Sequence, residues 1–179
     1  MQLDTQGVLQ DARYLPSPNC DERPDGCVIE LLVIHNISLP PNEFGGPGVI
    51  ELFTNRLEPA AHPYYQAICG LKVSTHFLIR RDGEILQFVP CSKRAWHAGA
   101  SQWRNRSCCN DFSIGIEMEG SNLLPFRDAQ YPALTALTLA LKQTHPIKDI
   151  VGHFAIAPGR KTDPGPFFDW ERYFTSLRK

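Results

Sequence analysis

Six histidines, two glutamates on one stretch, and a loop carrying Lys161 and Asp163 are the groups in this 179-residue chain best placed for chemistry. His35 lies inside Leu31-Leu-Val-Ile-His-Asn-Ile37, the most apolar run, where an imidazole needs a hydrogen-bond partner or a metal. Such a lone histidine is more often a hydrogen-bonded core residue than a ligand. His153 follows Gly152 and stands beside Ala157-Pro-Gly-Arg-Lys-Thr-Asp-Pro-Gly165, whose prolines and glycines mark a loop. Asp163 precedes Pro164, which disfavours helical backbone and projects the carboxylate from an extended one. Two imidazoles and one carboxylate are a set that can hold Zn2+ with one position open. About one unit of positive charge then remains to lower the pKa of a water. As bare spacing the signal is weak, because His35 is so far from His153 in the chain.

A hydrolytic site also needs a proton carrier. Residues 111–119 alternate, with Phe112, Ile114, Ile116 and Met118 on one face and Ser113, Gly115 and Glu117 on the other. Glu117 and Glu119 share the polar side, so either can be the functional carboxylate, and a solvated edge without a role explains them equally well. Lys161 could face a developing oxyanion or be a plain surface lysine. Trp96 could stack on a sugar face or sit in the core. His76 and His97 are candidates for substitute ligands or for groups behind the ligands.

The elements that must position these groups follow from periodicity. Residues 31–37 suit a buried central strand, and a short helix fits 49–55 beyond the loop Phe44-Gly-Gly-Pro-Gly48. The runs 73–79 and 85–89, joined through Asp82-Gly83, read as a β-hairpin. Leu134, Leu137 and Leu141 predict a helix capped by Asp128 and stopped by Pro146. Residues 150–153 read as a short strand and 167–177 as a second helix. Residues 1–30, with Pro16, Pro18 and Pro24, form an irregular lead-in on the surface of the domain 31–179. A hairpin alongside helix-separated strands predicts one α/β domain with a mixed central sheet flanked by helices.

Composition narrows the function classes. With 42% hydrophobic and 21% charged residues and a net charge of −1, the chain has neither the bias of a disordered segment nor the basic balance of a nucleic-acid binder. No basic amphipathic stretch favours a membrane surface. The opening Met1-Gln-Leu-Asp-Thr-Gln-Gly7 lacks a signal-peptide core, and no apolar run approaches a membrane span. Cys20, Cys27, Cys69, Cys91, Cys108 and Cys109 contain no C-x-x-C pair and read as free thiols of a reducing cytosol.

Five blocks then carry a family resemblance: H-N-I-S-L-P-P-N-E-F-G-G-P, V-S-T-H-F-L-I-R-R-D-G-E-I, R-A-W-H-A-G, C-N-D-F-S-I-G-I-E-M-E-G and G-H-F-A-I-A-P-G-R-K-T-D-P-G-P-x-F-D-W. From about Leu15 to Tyr173 the chain resembles the cytoplasmic 1,6-anhydro-N-acetylmuramyl-L-alanine amidases, a branch of the N-acetylmuramoyl-L-alanine amidase and peptidoglycan-recognition-protein superfamily. The resemblance implies one zinc ion per chain on His35, His153 and Asp163, with Glu117 and Lys161 catalytic. It implies a small muropeptide substrate cleaved between anhydro-muramic acid and L-alanine during cell-wall recycling. Relatives in the phage and recognition branches commonly carry cysteine where Asp163 stands, and the aspartate favours the recycling branch. Asn36 and Trp96 are expected at the sugar end. Two departures touch the peptide stem: Lys72 and Cys108 stand where relatives carry arginine, leaving Lys72 and the nearby Arg106 as candidate stem contacts. The expected protein is a cytoplasmic monomer without nucleic-acid or membrane partners. The rival readings are a secreted amidase on intact peptidoglycan and a non-catalytic recognition module, which would lack part of this residue set.

Overall fold

A computed structural model describes residues 1–178. Its strands are β1 (Arg13–Tyr14), β2 (Cys20–Glu22), β3 (Leu31–Ile37), β4 (Phe77–Ile79), β5 (Ile85–Gln87), β6 (Lys93–Ala95), β7 (Gln102–Trp103), β8 (Arg106–Ser107), β9 (Ser113–Glu119) and β10 (Asp149–Gly152). Its helices are α1 (Gly48–Phe53), α2 (Pro63–Ile68), α3 (Gln130–Thr144), α4 (His153–Ile156) and α5 (Trp170–Ser176). Six strands form one mixed sheet in the order β1-β5-β4-β9-β3-β10. β9 lies at its centre, parallel to both β3 and β4, and β4 is antiparallel to β5.

The apolar character of β3 reflects cover on both faces. Leu32 and Ile34 join Ile114, Ile116 and Met118 of β9 against α3 and α5. Leu134, Leu137 and Leu141 of α3 are wholly buried there, and truncating any one to alanine costs about 2–5 kcal/mol. Leu31 and Val33 point the other way, into a cluster with Cys109, Phe112 and Ile156. On that same second face, α1 and α2 pack Val49, Leu52, Phe53 and Tyr65 over Leu78 and Leu86. His35 continues the Leu31/Val33 side of β3, and Glu117 continues the Ser113/Gly115 side of β9.

The hairpin turn places Gly83 at φ +92°, a conformation open mainly to glycine, and Arg80 N–H closes it on Glu84 O at 2.9 Å. Its first strand is shorter than expected because Ser74 N–H bonds Trp96 O and the Thr75 hydroxyl bonds Gly115 O. The lead-in is also more ordered than expected. β1 adds an edge to the main sheet and β2 pairs with β6. The buried Gln87 side chain accepts from Leu9 N–H at 2.7 Å and donates to Gly7 O at 2.8 Å, pinning the segment. Asp128 is not the cap of α3. Arg172 draws it away at 2.6 Å, and the Gln130 side chain accepts from Arg127 N–H instead. α5 begins three residues later than expected, capped by Asp169 accepting from Arg172 N–H.

Candidate metal centre

β3 brings His35 and β9 brings Glu117 side by side, in register across the parallel pair. β10 lies on the other side of β3 and delivers His153 as the first residue of α4. The chain then turns through Pro158 and Gly159 to bring Asp163 back, with Phe154 N–H bonded to Asp163 O at 3.1 Å. The Asp163–Pro164 peptide is cis. Three atoms converge as a result. His35 Nδ1 lies 2.9 Å from His153 Nδ1, and Asp163 Oδ2 is 3.0 Å from each. Both imidazoles are buried and the carboxylate is partly exposed.

The chemistry of these donors fits a cation. His153 Nε2 faces the Ala98 carbonyl at 3.1 Å, which holds its proton there and leaves Nδ1 bare. That lone pair and the Asp163 carboxylate oppose each other at 3.0 Å, two acceptors that need a positive centre between them. Tetrahedral zinc with bonds of about 2.0–2.1 Å sets its ligands roughly 3.3 Å apart, close to the observed spacing. Burial lowers the His35 pKa to about 4, so the ring is neutral and able to ligate. Burial acts to raise Asp163, but its close contacts with His153 and His35 outweigh it and hold the carboxyl below the usual carboxylate range.

The polar side of β9 is buried rather than wet, and it separates the two glutamates. Glu119 is consumed by the fold, accepting from Gly45 N–H at 2.7 Å, Arg81 N–H at 3.0 Å and Arg80 at 3.2 Å. Among the described residues, Glu117 Oε2 is buried without a hydrogen-bond partner. Burial and then the negative charge of Asp163 raise its pKa well above the carboxylate norm, while Lys161 acts the other way. Lys161 is exposed and shares with His35, Glu117 and Asp163 a cavity of about 470 Å³. One wall of that cavity is apolar, formed by Leu52, Phe53, Tyr64, Ile68 and Val73. A charged floor below an apolar wall can hold an amide carbonyl while stripping water from the rest of its substrate.

The other expected residues fall in different places. Trp96 lines the cavity and donates its indole N–H to Asp21 at 3.1 Å. Asn36 also lines it, and its amide donates to Asn122 Oδ1 at 2.7 Å and Pro164 O at 2.8 Å. Lys72 is exposed between two cavity-lining residues, Leu71 and Val73, and is not itself in the wall. Arg106 lies away from the cavity, paired with Glu30 at 2.8 Å and stacked 3.9 Å over the Phe112 ring. His76 does not join the ligands: its Nδ1 accepts from Gly115 N–H and its Nε2 faces Lys93 O.

Three contributors escaped sequence reasoning. Asn122 donates to Thr162 at 2.7 Å and so ties the Asp163 loop to Asn36. Arg160 donates to the Ala98 and Ala100 carbonyls at 2.7 and 2.6 Å, fixing the backbone oxygen that His153 faces. Arg23 from the lead-in satisfies the carbonyls of Cys91, Asn110, Asp111 and Ser113 at the entry to β9. Arg160, adjacent to Lys161 in the R-K stretch, was the one with a visible signal.

The family model described as N-acetylmuramoyl-L-alanine amidase matches residues 25–166. The 1,6-anhydro-N-acetylmuramyl-L-alanine amidase AmpD of Escherichia coli (strain K12) is 58% identical over 176 residues, covering 97% of this chain and 96% of that protein. A protein of the same description from Haemophilus influenzae is 52% identical with the same coverage. A crystal structure of a selenomethionine AmpD derivative has a TM-score of 0.96 at 56% identity, covering 99% of each chain. AmiD from E. coli, solved with anhydro-N-acetylmuramic acid-L-Ala-D-gamma-Glu-L-Lys, has a TM-score of 0.61 at 30% identity, covering 97% of this chain and 62% of that one. By sequence over most of its length and by fold over nearly all of it, the chain belongs to the N-acetylmuramoyl-L-alanine amidase family.

Proposed function

We propose that this protein hydrolyses the amide joining 1,6-anhydro-N-acetylmuramic acid to the L-alanine of soluble muropeptides, with one zinc ion held by His35, His153 and Asp163. The observation that carries the reading is the convergence of three ligand atoms, all within 4.8 Å, beside a buried carboxyl that has no hydrogen-bond partner. The similar AmpD proteins are described as acting on this anhydro amide, and AmiD was solved with an anhydro-muropeptide.

Zinc held by His35, His153 and Asp163 would supply Lewis acidity for amide hydrolysis. Glu117, in its ionised form, takes the proton released as water adds to the carbonyl, and its Oε2, without a hydrogen-bond partner among the described residues, is free for that task. The Lys161 ammonium faces the oxyanion that develops on the carbonyl oxygen. Glu117 then hands its proton to the departing alanine nitrogen, so the carboxylate ends as it began. Asn36 and Trp96 shape the sugar end of the cavity, and its apolar wall excludes bulk water.

The six unpaired thiols support work in the cytoplasm, where such an enzyme recycles cell-wall fragments as a monomer. The test is zinc content per chain together with hydrolysis of anhydro-muropeptide and of intact sacculi, before and after chelation. One zinc per chain, activity lost on chelation and restored by zinc, and preference for the soluble substrate are expected. A metal-free, chelator-insensitive chain would overturn the proposal, and equal activity on sacculi would overturn its substrate.

A further inference from the structure

A line of polar contacts runs from the His35/His153/Asp163 cluster to the start of β9. His35 Nε2 meets His97 Nδ1 at 2.9 Å, and His97 Nε2 meets Ser113 Oγ at 3.0 Å. Ser113 Oγ then meets the Cys109 carbonyl oxygen at 2.6 Å. His97 lines the cavity and Ser113 opens β9; neither has a role in the chemistry described above, yet the line ends on buried backbone at Cys109, in the turn before β9, not in solvent.

The last contact decides the direction of all the others. A carbonyl oxygen can only accept, so the Ser113 hydroxyl donates to Cys109 O and offers lone pairs to His97. His97 must then carry its proton on Nε2 and present a bare Nδ1. His35 must in turn carry its proton on Nε2, which leaves its own Nδ1 bare and aimed at His153 and Asp163. The reverse order would press the Ser113 lone pair against the Cys109 oxygen at 2.6 Å, acceptor on acceptor, in a buried setting.

The surroundings are built to hold the His97 ring in place. Its backbone N–H and that of Ala98 both donate to Asn110 Oδ1, at 3.2 and 2.8 Å. On β9 the ring lies against Gly115, where an added Cβ would come within 2.5 Å of His97 Cγ. Ring centroids of His35 and His97 are 5.0 Å apart and nearly perpendicular, which points one nitrogen at the other.

We propose that His97 and Ser113 are positioning residues that lock His35 in its Nε2–H tautomer and so preset Nδ1 as a metal ligand. The inference rests on the zinc reading given above, but the histidine tautomers can be measured in the metal-free chain.

The test is long-range 15N–1H NMR of the histidine rings without zinc, paired with zinc affinity by chelator competition, on wild type, Ser113→Ala, His97→Phe and His97→Asn. The metal-free wild type is expected to show His35 and His97 protonated on Nε2. Ser113→Ala removes one hydroxyl and should scramble the His97 tautomer, weakening zinc by about tenfold. His97→Phe keeps the ring and loses the acceptor, and should weaken zinc roughly 10- to 100-fold. In His97→Asn the amide oxygen takes the place of Nδ1 and should recover most of that loss. A His35 proton on Nδ1 in the metal-free wild type would overturn the relay, as would unchanged zinc affinity in both Ser113→Ala and His97→Phe. Wild type that binds no zinc would overturn the proposed function instead, with the His35 tautomer still deciding the relay.

Discussion

His35 and Glu117 are paired residues on adjacent parallel strands, side by side on the same face of the sheet. One has both nitrogens in close contact with other side chains, and the other has an oxygen with no hydrogen-bond partner among the described residues. The strand pairing itself therefore sets the distance between a proposed ligand and the proposed proton carrier, without dependence on a loop.

Glu117→Gln tests the carrier. The amide keeps the size of the side chain and cannot take a proton, so turnover should fall about 10²- to 10⁴-fold while zinc stays at one per chain. Because burial and the Asp163 charge disfavour an ionised carboxylate here, the neutral amide should also make the metal-free variant more stable, by about 1 kcal/mol or roughly 2–4 °C in melting temperature. Wild-type rates, with zinc retained, would remove Glu117 from the mechanism.

Lys161→Ala tests the oxyanion contact. Lys161 is exposed, so the fold and the zinc content should be unaffected while kcat falls about 100-fold or more. A raised KM with unchanged kcat would make Lys161 a binding residue instead.

Asn122→Ala should loosen the Asp163 loop. Asn122 links Asn36 on β3 to Thr162, next to the aspartate. Zinc affinity, read by chelator competition, should drop by about tenfold, and thermal stabilisation by zinc should shrink with it. Equal affinity in the variant would show that the loop is held by other contacts.

Arg106→Ala should leave kcat/KM unchanged. The side chain is half-exposed, pairs with Glu30 and stacks on Phe112 away from the cavity, so at most ~1 kcal/mol of stability is at stake. A raised KM toward muropeptides with a full peptide stem would return Arg106 to the stem contacts.

Cys91 gives a pH signature unrelated to the metal. Burial pushes its thiol up to about 12 from an ordinary value near 9.0. In the unfolded chain the thiol ionises first, so between those two values the folded state holds more protons and stability falls as pH rises. Urea unfolding should show a steeper loss above about pH 9 in wild type than in Cys91→Ala. Parallel slopes in the two proteins would contradict this.

β3 was legible as a continuous apolar run and β9 through its alternation, but Phe112, read onto the Ile114 face, sits in the 3-10 turn before β9 and packs with Leu31 and Val33 instead. Ile114, Ile116 and Met118 could point only one way, which fixed Glu117 with Ser113 and Gly115 on the other face. What alternation could not supply was which glutamate is free, since the partners of Glu119 come from Gly45, Arg80 and Arg81, in parts of the chain distant from β9. The strands β1 and β2 were missed because two or three residues carry no periodicity, and their pairing depends on β5 and β6. Asp128 has the chemistry of a helix cap, and only the position of Arg172 explains why it does not act as one. The convergence of His35, His153 and Asp163 was anticipated through the resemblance of their blocks, since no spacing in the chain links them. His97 remained one candidate among several because its partner Ser113 becomes its neighbour only when β9 is laid beside the R-A-W-H-A-G segment.

The sheet divides the molecule into two parts that can be redesigned separately. Behind it, α3 and α5 bury Leu134, Leu137, Leu141 and Tyr173 without contributing any proposed ligand or proton carrier. In front of it, α1, α2 and the loops around His153 enclose the cavity. An engineer seeking a longer-lived enzyme can repack the rear layer and leave the front untouched. One seeking a new sugar or peptide preference can vary the front wall on a scaffold whose durability is set elsewhere.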